Sequence, residues 1–283
     1  MKFIVDSGST KTDWIAIDNA GKKLFETQTL GLNPQVLSEH ILEERIINNY
    51  EIYQSRKTVS ELFFYGAGCG TEPPKNLINK VFKPIFQNAK IVIKEDTYAA
   101  IYSCCGPGEK AIVSILGTGS NCSYYDGEKV HQKITSLGYI LMDDASGNYF
   151  GRQLLRDCYF NKMPFNLVEK FKKEFELEAE LIKDHLYKKP NPNTYLAKFA
   201  KFLVQNKDSK YCKKLIKKGF SLFVKNQIRQ FDNHLDVPLH FVGSIGYYLQ
   251  DDLKKYLVEK GLTCGKILKK PIDGLVSYHQ SLI

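Results

Sequence analysis

The sequence Asp6-Ser7-Gly8-Ser9-Thr10-Lys11-Thr12-Asp13-Trp14 joins two short apolar segments near the N-terminus, each typical of a buried strand. Gly8 has no side chain, so backbone N–H groups beside it can approach an oxyanion closely, and the hydroxyls and Lys11 add further donors. Asp6, at the end of the first segment, could bind a magnesium ion through water. The sequence therefore predicts a phosphate-binding β-hairpin, although an ordinary polar hairpin turn uses the same residue types.

A degenerate P-loop is another interpretation of this segment, because Lys11-Thr12 resembles the end of that motif. A P-loop requires a glycine before the lysine and a helix after it. Here Thr10 stands before Lys11, and the residues that follow favour a strand. We therefore exclude the P-loop.

The composition is that of a globular protein with one large or two ordinary domains, since the chain has 283 residues and is 43% hydrophobic. No apolar run approaches the ~20 residues of a membrane span. The short apolar stretch between Lys2 and Asp6 is also too brief for a signal peptide. We therefore expect a cytoplasmic protein with no membrane partner.

The net charge of +9 comes largely from lysines between residues 170 and 218. They alternate with apolar residues at helical spacing, which is typical of the solvated faces of amphipathic helices, so we expect no nucleic-acid partner. The seven cysteines form no CxxC pair and no zinc-like spacing. They are expected to be reduced and mostly buried as small apolar residues.

Strand-like and helix-like segments alternate along the first hundred residues, which predicts an α/β domain with a mixed sheet and helices on its faces. The predicted strands are residues 2–6, 12–18, 23–29, 61–65 and 91–93, and the predicted helices are residues 35–50 and 73–86.

A second unit starts near Lys110 and repeats the pattern of strand, Gly/Ser/Thr turn and strand, with Gly117-Thr118-Gly119-Ser120 as the turn. Residues from about 151 to 230 have helical patterns throughout and predict an insertion. A later strand ends at Gly243-Ser244-Ile245-Gly246. We therefore predict two domains, residues 1–108 and residues 109–283.

The joint occurrence of two phosphate-type hairpins and a strand–Gly-Ser–helix segment resembles the superfamily of actin, heat-shock chaperones and sugar kinases. That resemblance implies two actin-like (ribonuclease H-like) α/β domains with ATP in the cleft between them. Within the superfamily the chain is similar to the N-acetylglucosamine kinase branch, which is grouped with ATPase activators of acyl-CoA reductases and dehydratases. The motifs that carry this similarity are Asp6–Trp14, Glu95–Ala100, Gly117–Asn121 and Ser136–Arg152.

The resemblance also implies roles for single residues, with Asp96 as the catalytic base. Asp6 is the candidate magnesium ligand because it is a carboxylate at the strand end. The residues implied to bind ATP are Gly8, Ser9, Thr10 and Lys11 in the first hairpin, Gly117, Thr118 and Gly119 in the second, and Gly243 and Ser244 beside the adenosine. The residues implied to hold or line the site of an amino sugar are Asn33, Asn121, Ser136, Leu137, Gly138 and Asp143. A homodimer is implied as well, because dimers are common in this family.

Asp96 is also a candidate catalytic residue without the resemblance, because it follows an apolar strand and precedes a helical stretch. A carboxylate at a helix N-terminus is kept ionised by the helix dipole. An N-cap aspartate with no function would look the same. The flanking phosphate motifs favour catalysis, since a sugar hydroxyl needs a carboxylate to orient it and accept its proton during phosphoryl transfer.

The stretch from Ser136 departs from the family pattern Gly-Trp-Gly-x-x-x-Gly-Asp-Glu-Gly-Ser. Ser136, Leu137, Met142 and Ala145 stand where that pattern has Gly, Trp, Gly and Gly, and Asp144 replaces Glu. Side chains at glycine positions are expected to crowd or reshape the sugar pocket. The pair Asp143-Asp144 could bind metal or could form a solvated turn. The identity of the acceptor sugar therefore stays open.

Three functions fit these observations. The first is an ATP- and magnesium-dependent kinase of N-acetylglucosamine or a close amino sugar, acting by analogy at the 6-hydroxyl. The second is an ATPase activator with an iron–sulfur cluster, for which only Cys69 and Cys104-Cys105 are candidate ligands. The third is a non-catalytic sugar or nucleotide sensor, which the altered glycine positions keep open. The pair of phosphate hairpins favours the kinase.

Overall fold

The computed structural model describes residues 1–8 and 11–282, and these two ranges contain ten strands and thirteen α-helices. The strands are β1 (Lys2–Ser7), β2 (Lys11–Ile17), β3 (Lys23–Leu30), β4 (Glu61–Gly66), β5 (Lys90–Glu95), β6 (Ala111–Leu116), β7 (Ser120–Tyr125), β8 (Val130–His131), β9 (Leu239–Val242) and β10 (Cys264–Leu268). The helices are α1 (Glu39–Ile47), α2 (Tyr50–Ser55), α3 (Glu72–Ile85), α4 (Asp96–Cys104), α5 (Gly147–Tyr159), α6 (Phe165–Glu174), α7 (Ala179–Tyr187), α8 (Pro192–Lys198), α9 (Ala200–Gln205), α10 (Lys210–Asn226), α11 (Ser244–Tyr248), α12 (Gln250–Glu259) and α13 (Pro271–Gln280).

The strands form two five-stranded mixed sheets, with orders β3-β2-β1-β4-β5 and β8-β7-β6-β9-β10. In each sheet the first strand pairs antiparallel with its hairpin partner and parallel with a strand from later in the chain. The two sheets therefore have the same topology, which confirms the internal repeat that the sequence predicts. Strand β1 lies at the centre of its sheet and is apolar on both faces, with Phe3, Ile4 and Val5 fully buried.

The core of the first unit is aromatic and lies beneath the first hairpin. Phe3 packs edge-on against Trp14 and Phe86, and Phe82 packs edge-on against Phe64 and Phe86. The core of the second unit is formed by its sheet and by the apolar faces of helices α5–α12. Each hairpin is thus carried by a separate buried core, which gives its turn a rigid support.

The helical insertion begins earlier than the sequence indicates. Helix α5 starts at Gly147, because Ser146 occupies its N-cap and accepts a hydrogen bond from the N–H of Tyr149 at 3.2 Å. The helix predicted at residues 35–50 is interrupted for a similar reason. Asn49 caps a new helix, α2, by accepting from the N–H of Ile52 at 3.1 Å, so the single predicted helix becomes α1 and α2.

The C-terminal part of the chain belongs to the first unit, which comprises Met1–Gly106 and the residues from Lys270 onward; Pro107–Lys269 form the second. Sequence patterns place residues 109–283 in one domain and do not identify β10 or α13. The difference arises because α13 packs on α4: the ring of Tyr278 stacks on Tyr102 with centroids 4.4 Å apart.

Two further contacts attach α13 to the first unit. The backbone of Gly274 lies against Ser103 so closely that a Cβ at Gly274 would overlap the Ser103 carbonyl oxygen. The Tyr65 hydroxyl and His279 Nε2 are 2.9 Å apart in a buried hydrogen bond.

Within the two described ranges, no helix is long and apolar enough to cross a bilayer.

Candidate functional site

The first hairpin brings two carboxylates to one face of the sheet. Asp6 in β1 is directly opposite Asp13 in β2, so the two side chains are cross-strand neighbours. Asp13 is 8% exposed and accepts hydrogen bonds from Lys11 Nζ at 2.8 and 3.2 Å and from Gln28 Nε2 at 2.6 Å. Asp13 therefore orients Lys11 at the turn. Gly8 closes the turn, donating to the Lys11 carbonyl at 3.0 Å.

Ser9 and Thr10, which the sequence places in this phosphate hairpin, lie outside the described residues. The base of the hairpin is tied to the loop that carries Asn33. The buried Ser7 hydroxyl is 2.8 Å from Thr12 Oγ1 and accepts from the N–H of Leu32 at 3.0 Å.

Asp6 has an electrostatic environment that raises its pKa to about 7. Burial of the carboxyl is the main cause, followed by the nearby charges of Asp96 and Asp13, while Lys11 and Lys270 act in the opposite direction. Lys270 Nζ is 3.9 Å from Asp13 Oδ1. Three carboxylates and two lysines thus converge at one end of the first sheet.

Within this cluster, Asp6 is the candidate ligand of a divalent cation. Oxygen ligands are what magnesium prefers, and a cation there would offset the mutual repulsion of carboxylates that the structure already holds close together. The described ranges contain no group of three or more His, Cys, Asp or Glu side chains arranged as a metal site. Magnesium is commonly held by one or two carboxylates plus water and substrate phosphates, so Asp6 remains a suitable ligand.

Asp96 is the first residue of α4, and Glu95 occupies the N-cap. The N-cap interpretation of Asp96 is therefore wrong. Burial, and secondarily Glu95, raises the pKa of Asp96 to about 6, although the N–H groups of Thr97 and of Asp96 itself favour the ionised form. The helix N-terminus does not set the direction of the pKa shift, because removal from water outweighs these donors. At pH 7 the carboxyl still spends most of its time ionised.

Asn33 lies in the loop after β3. Its Oδ1 accepts from the N–H of Gln35 at 2.9 Å, and its carbonyl accepts from the N–H groups of Val36 and Leu37. Gly68, which has a φ of 82°, presses against the Asn33 amide, and a Cβ at Gly68 would overlap Asn33 Oδ1. The Asn33 side chain is therefore held between two turns of the first unit.

The second hairpin, Gly117–Gly119, is hydrogen-bonded to the start of α5. The N–H of Gly147 donates to the Gly117 carbonyl at 2.8 Å, and the N–H of Asn148 donates to the Thr118 carbonyl at 3.0 Å. Within residues 1–8 and 11–282, the N–H groups of Thr118 and Gly119 donate to no acceptor. Among the described residues, and apart from the two chain neighbours of Gly117, no atom lies within 4 Å of the position that a Cβ on Gly117 would take. Free amide donors beside open space suit a phosphate oxygen.

Gly243 packs against the backbone at the start of this hairpin. Its φ is 124°, and a Cβ there would overlap the carbonyl of Leu116, directly before Gly117. Only glycine meets both requirements. Ser244 follows as the exposed first residue of α11. The structure therefore brings the two predicted ATP-binding segments of the second unit into direct contact.

Asp143 lies against the second hairpin: a Cβ on Gly119 would be 2.7 Å from Asp143 Oδ2. Asn148 Nδ2 donates to Asp143 Oδ2 at 2.9 Å. Burial raises the pKa of Asp143, and the Asn148 amide, the Ser120 N–H and Arg152 act against that rise. Asn121, in the neighbouring strand β7, accepts from the N–H of Cys122 at 2.7 Å.

The segment 136–142 is exposed, and Leu137 leaves 62% of its surface in solvent. In the described part of the chain, its hydrogen bonds include those from the N–H of Leu137 to Met142 Sδ at 3.3 Å and from the N–H of Gly138 to Ser136 Oγ at 3.4 Å. Arg152 Nη1 anchors the segment by donating to the carbonyls of Tyr139 and Ile140 at 3.0 and 3.1 Å.

Ala145, which stands at a family glycine, has a φ of 59° and is fully buried. The backbone thus keeps a glycine-type conformation despite the added methyl group, at a cost of about 1 kcal/mol.

Cys69, Cys104 and Cys105 are buried. Burial, with the charges of Asp96 and Glu95, raises the pKa of the Cys69 thiol to about 12. A thiol with so high a pKa is a poor source of thiolate for a metal. Burial and pKa therefore favour a structural role for Cys69.

Comparison with solved structures identifies the family. A candidate N-acetylglucosamine kinase from Porphyromonas gingivalis is 32% identical over 99% of both chains, with a TM-score of 0.92. The chain belongs to the N-acetylglucosamine kinase-like family of the actin-like sugar kinase superfamily. A candidate N-acetylglucosamine kinase from Chromobacterium violaceum shares the fold at 16% identity over 98% of both chains, with a TM-score of 0.72.

A more distant structure supports the same fold class. A ROK family glucokinase from Streptomyces griseus, solved with glucose and AMPPNP, is 13% identical over 98% of this chain and 97% of its own, with a TM-score of 0.57. No protein-family model matches the chain, and no curated protein sequence does. The two-domain actin-like sugar kinase fold that the sequence predicts is therefore confirmed.

Three residues beside these sites were not predicted from the sequence: Asp13, Lys270 and Asn148. Asp13 lies inside the opening motif, and its alternation with Lys11 along β2 was an available signal. Lys270 is distant from the hairpin in the chain and reaches it only through tertiary structure. Asn148 is one of several polar residues inside the Ser136–Arg152 motif, and nothing in its spacing distinguishes it.

Proposed function

We propose that this protein phosphorylates N-acetylglucosamine or a close amino sugar at the 6-hydroxyl, using ATP and magnesium. The observation that carries the proposal is the carboxyl of Asp96: it lies partly buried at a helix N-terminus, its pKa is about 6, and its charge acts on Asp6 at the end of the phosphate hairpin. A general base works best with a pKa near the operating pH. Membership of a sugar kinase family supports the same conclusion.

The first unit would supply the charged side chains that act in phosphoryl transfer. Asp96 orients the acceptor hydroxyl and takes its proton, since it is mostly ionised at pH 7 yet basic enough to bind a proton. Asp6 would ligate magnesium, and Asp13 holds Lys11 where its ammonium can neutralise phosphate charge. When bound, ATP and magnesium supply the phosphoryl group and the Lewis acidity that spreads its developing charge.

The second unit would supply neutral donors. The N–H groups of Thr118 and Gly119 are free to bind phosphate oxygens, with Gly117 giving access and Gly243 with Ser244 lying beside the adenosine. Asp143 and Asn121 would accept hydrogen bonds from sugar hydroxyls. The exposed residues Ser136, Leu137 and Gly138 would border the acceptor and adjust its selectivity.

The proposal is tested by measuring ADP release from magnesium–ATP with a panel of acceptors. The panel contains N-acetylglucosamine, glucosamine, N-acetylmuramate, N-acetylmannosamine and glucose. We expect one amino sugar to stimulate ADP release at least tenfold over the sugar-free rate, and phosphorus–proton coupling in the product's NMR spectrum to place the phosphate on the 6-oxygen.

Other outcomes would reject the proposal in distinct ways. Tight sugar and nucleotide binding without ADP release would indicate a sensor. Sugar-independent ATPase activity in a brown, air-sensitive preparation would indicate the activator class. Phosphate on another oxygen would keep the kinase but overturn the assigned position.

A further inference from the structure

We propose that Asn148 is a positioning residue that locks the second phosphate hairpin to the acceptor-binding carboxylate Asp143. The inference rests on the proposed function for the roles of hairpin and Asp143, while the lock itself is a feature of the second unit alone. Neither the family resemblance nor the sequence spacing assigns a role to this side chain.

The geometry of the Asn148 amide is that of a bridge. Its Nδ2 donates to the Thr118 carbonyl at 2.7 Å and to Asp143 Oδ2 at 2.9 Å. A primary amide has two N–H donors, so both bonds form at once. The backbone N–H of Asn148 also donates to the Thr118 carbonyl, so one residue holds the hairpin twice.

The energetics indicate that this amide is not simply filling space. Asn148 is fully buried, and its Oδ1 has no hydrogen-bond partner among the residues that the structure describes. A buried acceptor without a donor destabilises the fold, whereas an apolar side chain of similar size would avoid that penalty. The amide is therefore best explained by what its Nδ2 contacts.

The Asp143 segment also needs a tether. Asp143 and Ala145 both have left-handed backbone conformations, with φ of 67° and 59°. Such conformations persist in non-glycine residues only where the surrounding contacts impose them. The bond from Asn148 to Asp143, and that from the N–H of Ser146 to the Asp143 carbonyl at 3.2 Å, hold the turn against the hairpin.

The consequence is mechanical coupling within the second unit. If the amide is removed, the hairpin and the Asp143 carboxylate lose their shared anchor, and each becomes free to move relative to the other. Since a phosphoryl acceptor must be held within a few tenths of an ångström, we expect the loss to fall mainly on acceptor binding and alignment.

A double-mutant cycle tests the coupling. Asn148→Ala should lower kcat/KM for the acceptor about 10- to 100-fold, mostly through KM, because a hydrogen bond to a charged group is lost. In an Asp143→Ala background the same change should cost less than about threefold, since the partner is already absent. Asn148→Ser, which retains one donor, should fall between wild type and Asn148→Ala. Equal effects in both backgrounds would show that Asn148 acts only through packing.

Hydrogen exchange tests the lock independently of activity and remains informative if no sugar in the panel is phosphorylated. Asn148→Ala, or Asn148→Ser if the alanine variant does not fold, should raise amide exchange in peptides covering 116–121 and 143–148 while the C-terminal half of α5 stays protected. Exchange that is unchanged, or raised evenly along α5, would overturn the inference. Asn206→Ala is a matched control, because Asn206 Nδ2 also donates to a backbone carbonyl, that of Phe202, at 2.9 Å.

Discussion

The two hairpins occupy equivalent positions in two sheets of the same topology, yet they present different chemistry. The first contains Asp6, Lys11 and Asp13, and the charges of Asp96 and Lys270 act on the Asp6 carboxyl group. The second carries no charge in Gly117–Gly119 and offers unoccupied backbone N–H groups fixed by the start of α5. The repeated topology thus carries one charged hairpin and one neutral hairpin, so ionisable side chains dominate the first and backbone N–H groups the second.

The largest expected effect follows from removing the proposed base in the charged unit. Asp96→Asn keeps the size and the hydrogen-bonding side chain but cannot accept the hydroxyl proton, so turnover should fall roughly 10²- to 10⁴-fold with little change in ATP affinity. The measurement is steady-state kinetics with the accepted sugar, together with nucleotide binding by calorimetry.

Asp18→Asn is the matched control, because Asp18 is a turn carboxylate that accepts from the backbone N–H groups of Ala20 and Lys22. It should retain full turnover. Normal turnover in Asp96→Asn would mean that another group accepts the proton.

A smaller effect is expected for the lysine of the charged hairpin. Lys11→Met should lower kcat about 10- to 100-fold, because one phosphate-neutralising charge is lost. In wild type, kcat/KM should decline as pH falls through the range 6 to 7, since Asp96 and Asp6 must be ionised to act. Lys11 lowers the pKa of Asp6, so its loss should shift the acidic limb of the pH profile to higher pH by roughly half a unit.

Lys23→Met provides the comparison for this variant, because Lys23 forms an exposed ion pair with Glu26 within strand β3. Its profile should coincide with that of wild type. An acidic limb that stays in place in Lys11→Met would contradict the coupling of Lys11 to Asp6.

The neutral hairpin should respond to backbone geometry rather than to charge. Gly243→Ala forces a Cβ against the Leu116 carbonyl at a φ of 124°, so the free energy of unfolding should fall by about 3 kcal/mol. ATP should bind about tenfold more weakly, because the displaced hairpin presents its N–H groups less well. Denaturant unfolding and nucleotide titration measure the two effects.

Gly261→Ala separates conformational strain from the clash. Gly261 also has a positive φ, of 69°, but no atom lies within 4 Å of its Cβ position. Gly261→Ala should lower the free energy of unfolding by about 1 kcal/mol and leave ATP affinity unchanged. Equal losses in the two variants would show that contact with Leu116 is unimportant.

The smallest effect concerns stability in the charged unit. The pKa of Asp6 is raised in the folded state, so the folded protein binds this proton more tightly than the unfolded chain does, and stability declines as pH rises between about 4 and 7. Asp6→Asn removes this penalty, and the thermal midpoint at pH 8 should rise by roughly 2–4 °C. At pH 5 the gain should be smaller.

Scanning calorimetry of wild type and Asp6→Asn at both pH values makes the comparison. A gain at pH 8 no larger than the gain at pH 5 would show that folding does not raise the pKa of Asp6.

The fold could be predicted from the sequence largely because its signals are local. A run of apolar residues that ends in small polar ones marks a strand and its turn, and this pattern occurs at both hairpins. The short strand β10 and helix α13 lack strong local patterns, and α13 is held mainly by distant contacts such as the stack of Tyr278 on Tyr102. The break between α1 and α2 depends on a single cap at Asn49.

The sites were only partly predictable for the same reason. Asp6, Lys11 and Asp96 could be named because residue type and position in a motif suffice to mark them. The raised pKa of Asp96 could not, because burial depends on the atoms packed around the carboxyl.

The sequence by itself determined the two hairpins, their glycines and the acids at the strand ends, since these features depend on conformational preferences of neighbouring residues. Only the tertiary structure decided that Lys270 reaches Asp13, that Asn148 joins Thr118 to Asp143, and that Ala145 adopts a glycine-type conformation. These depend on which segments meet in space, and the free energy of packing, rather than local preference, selects those contacts.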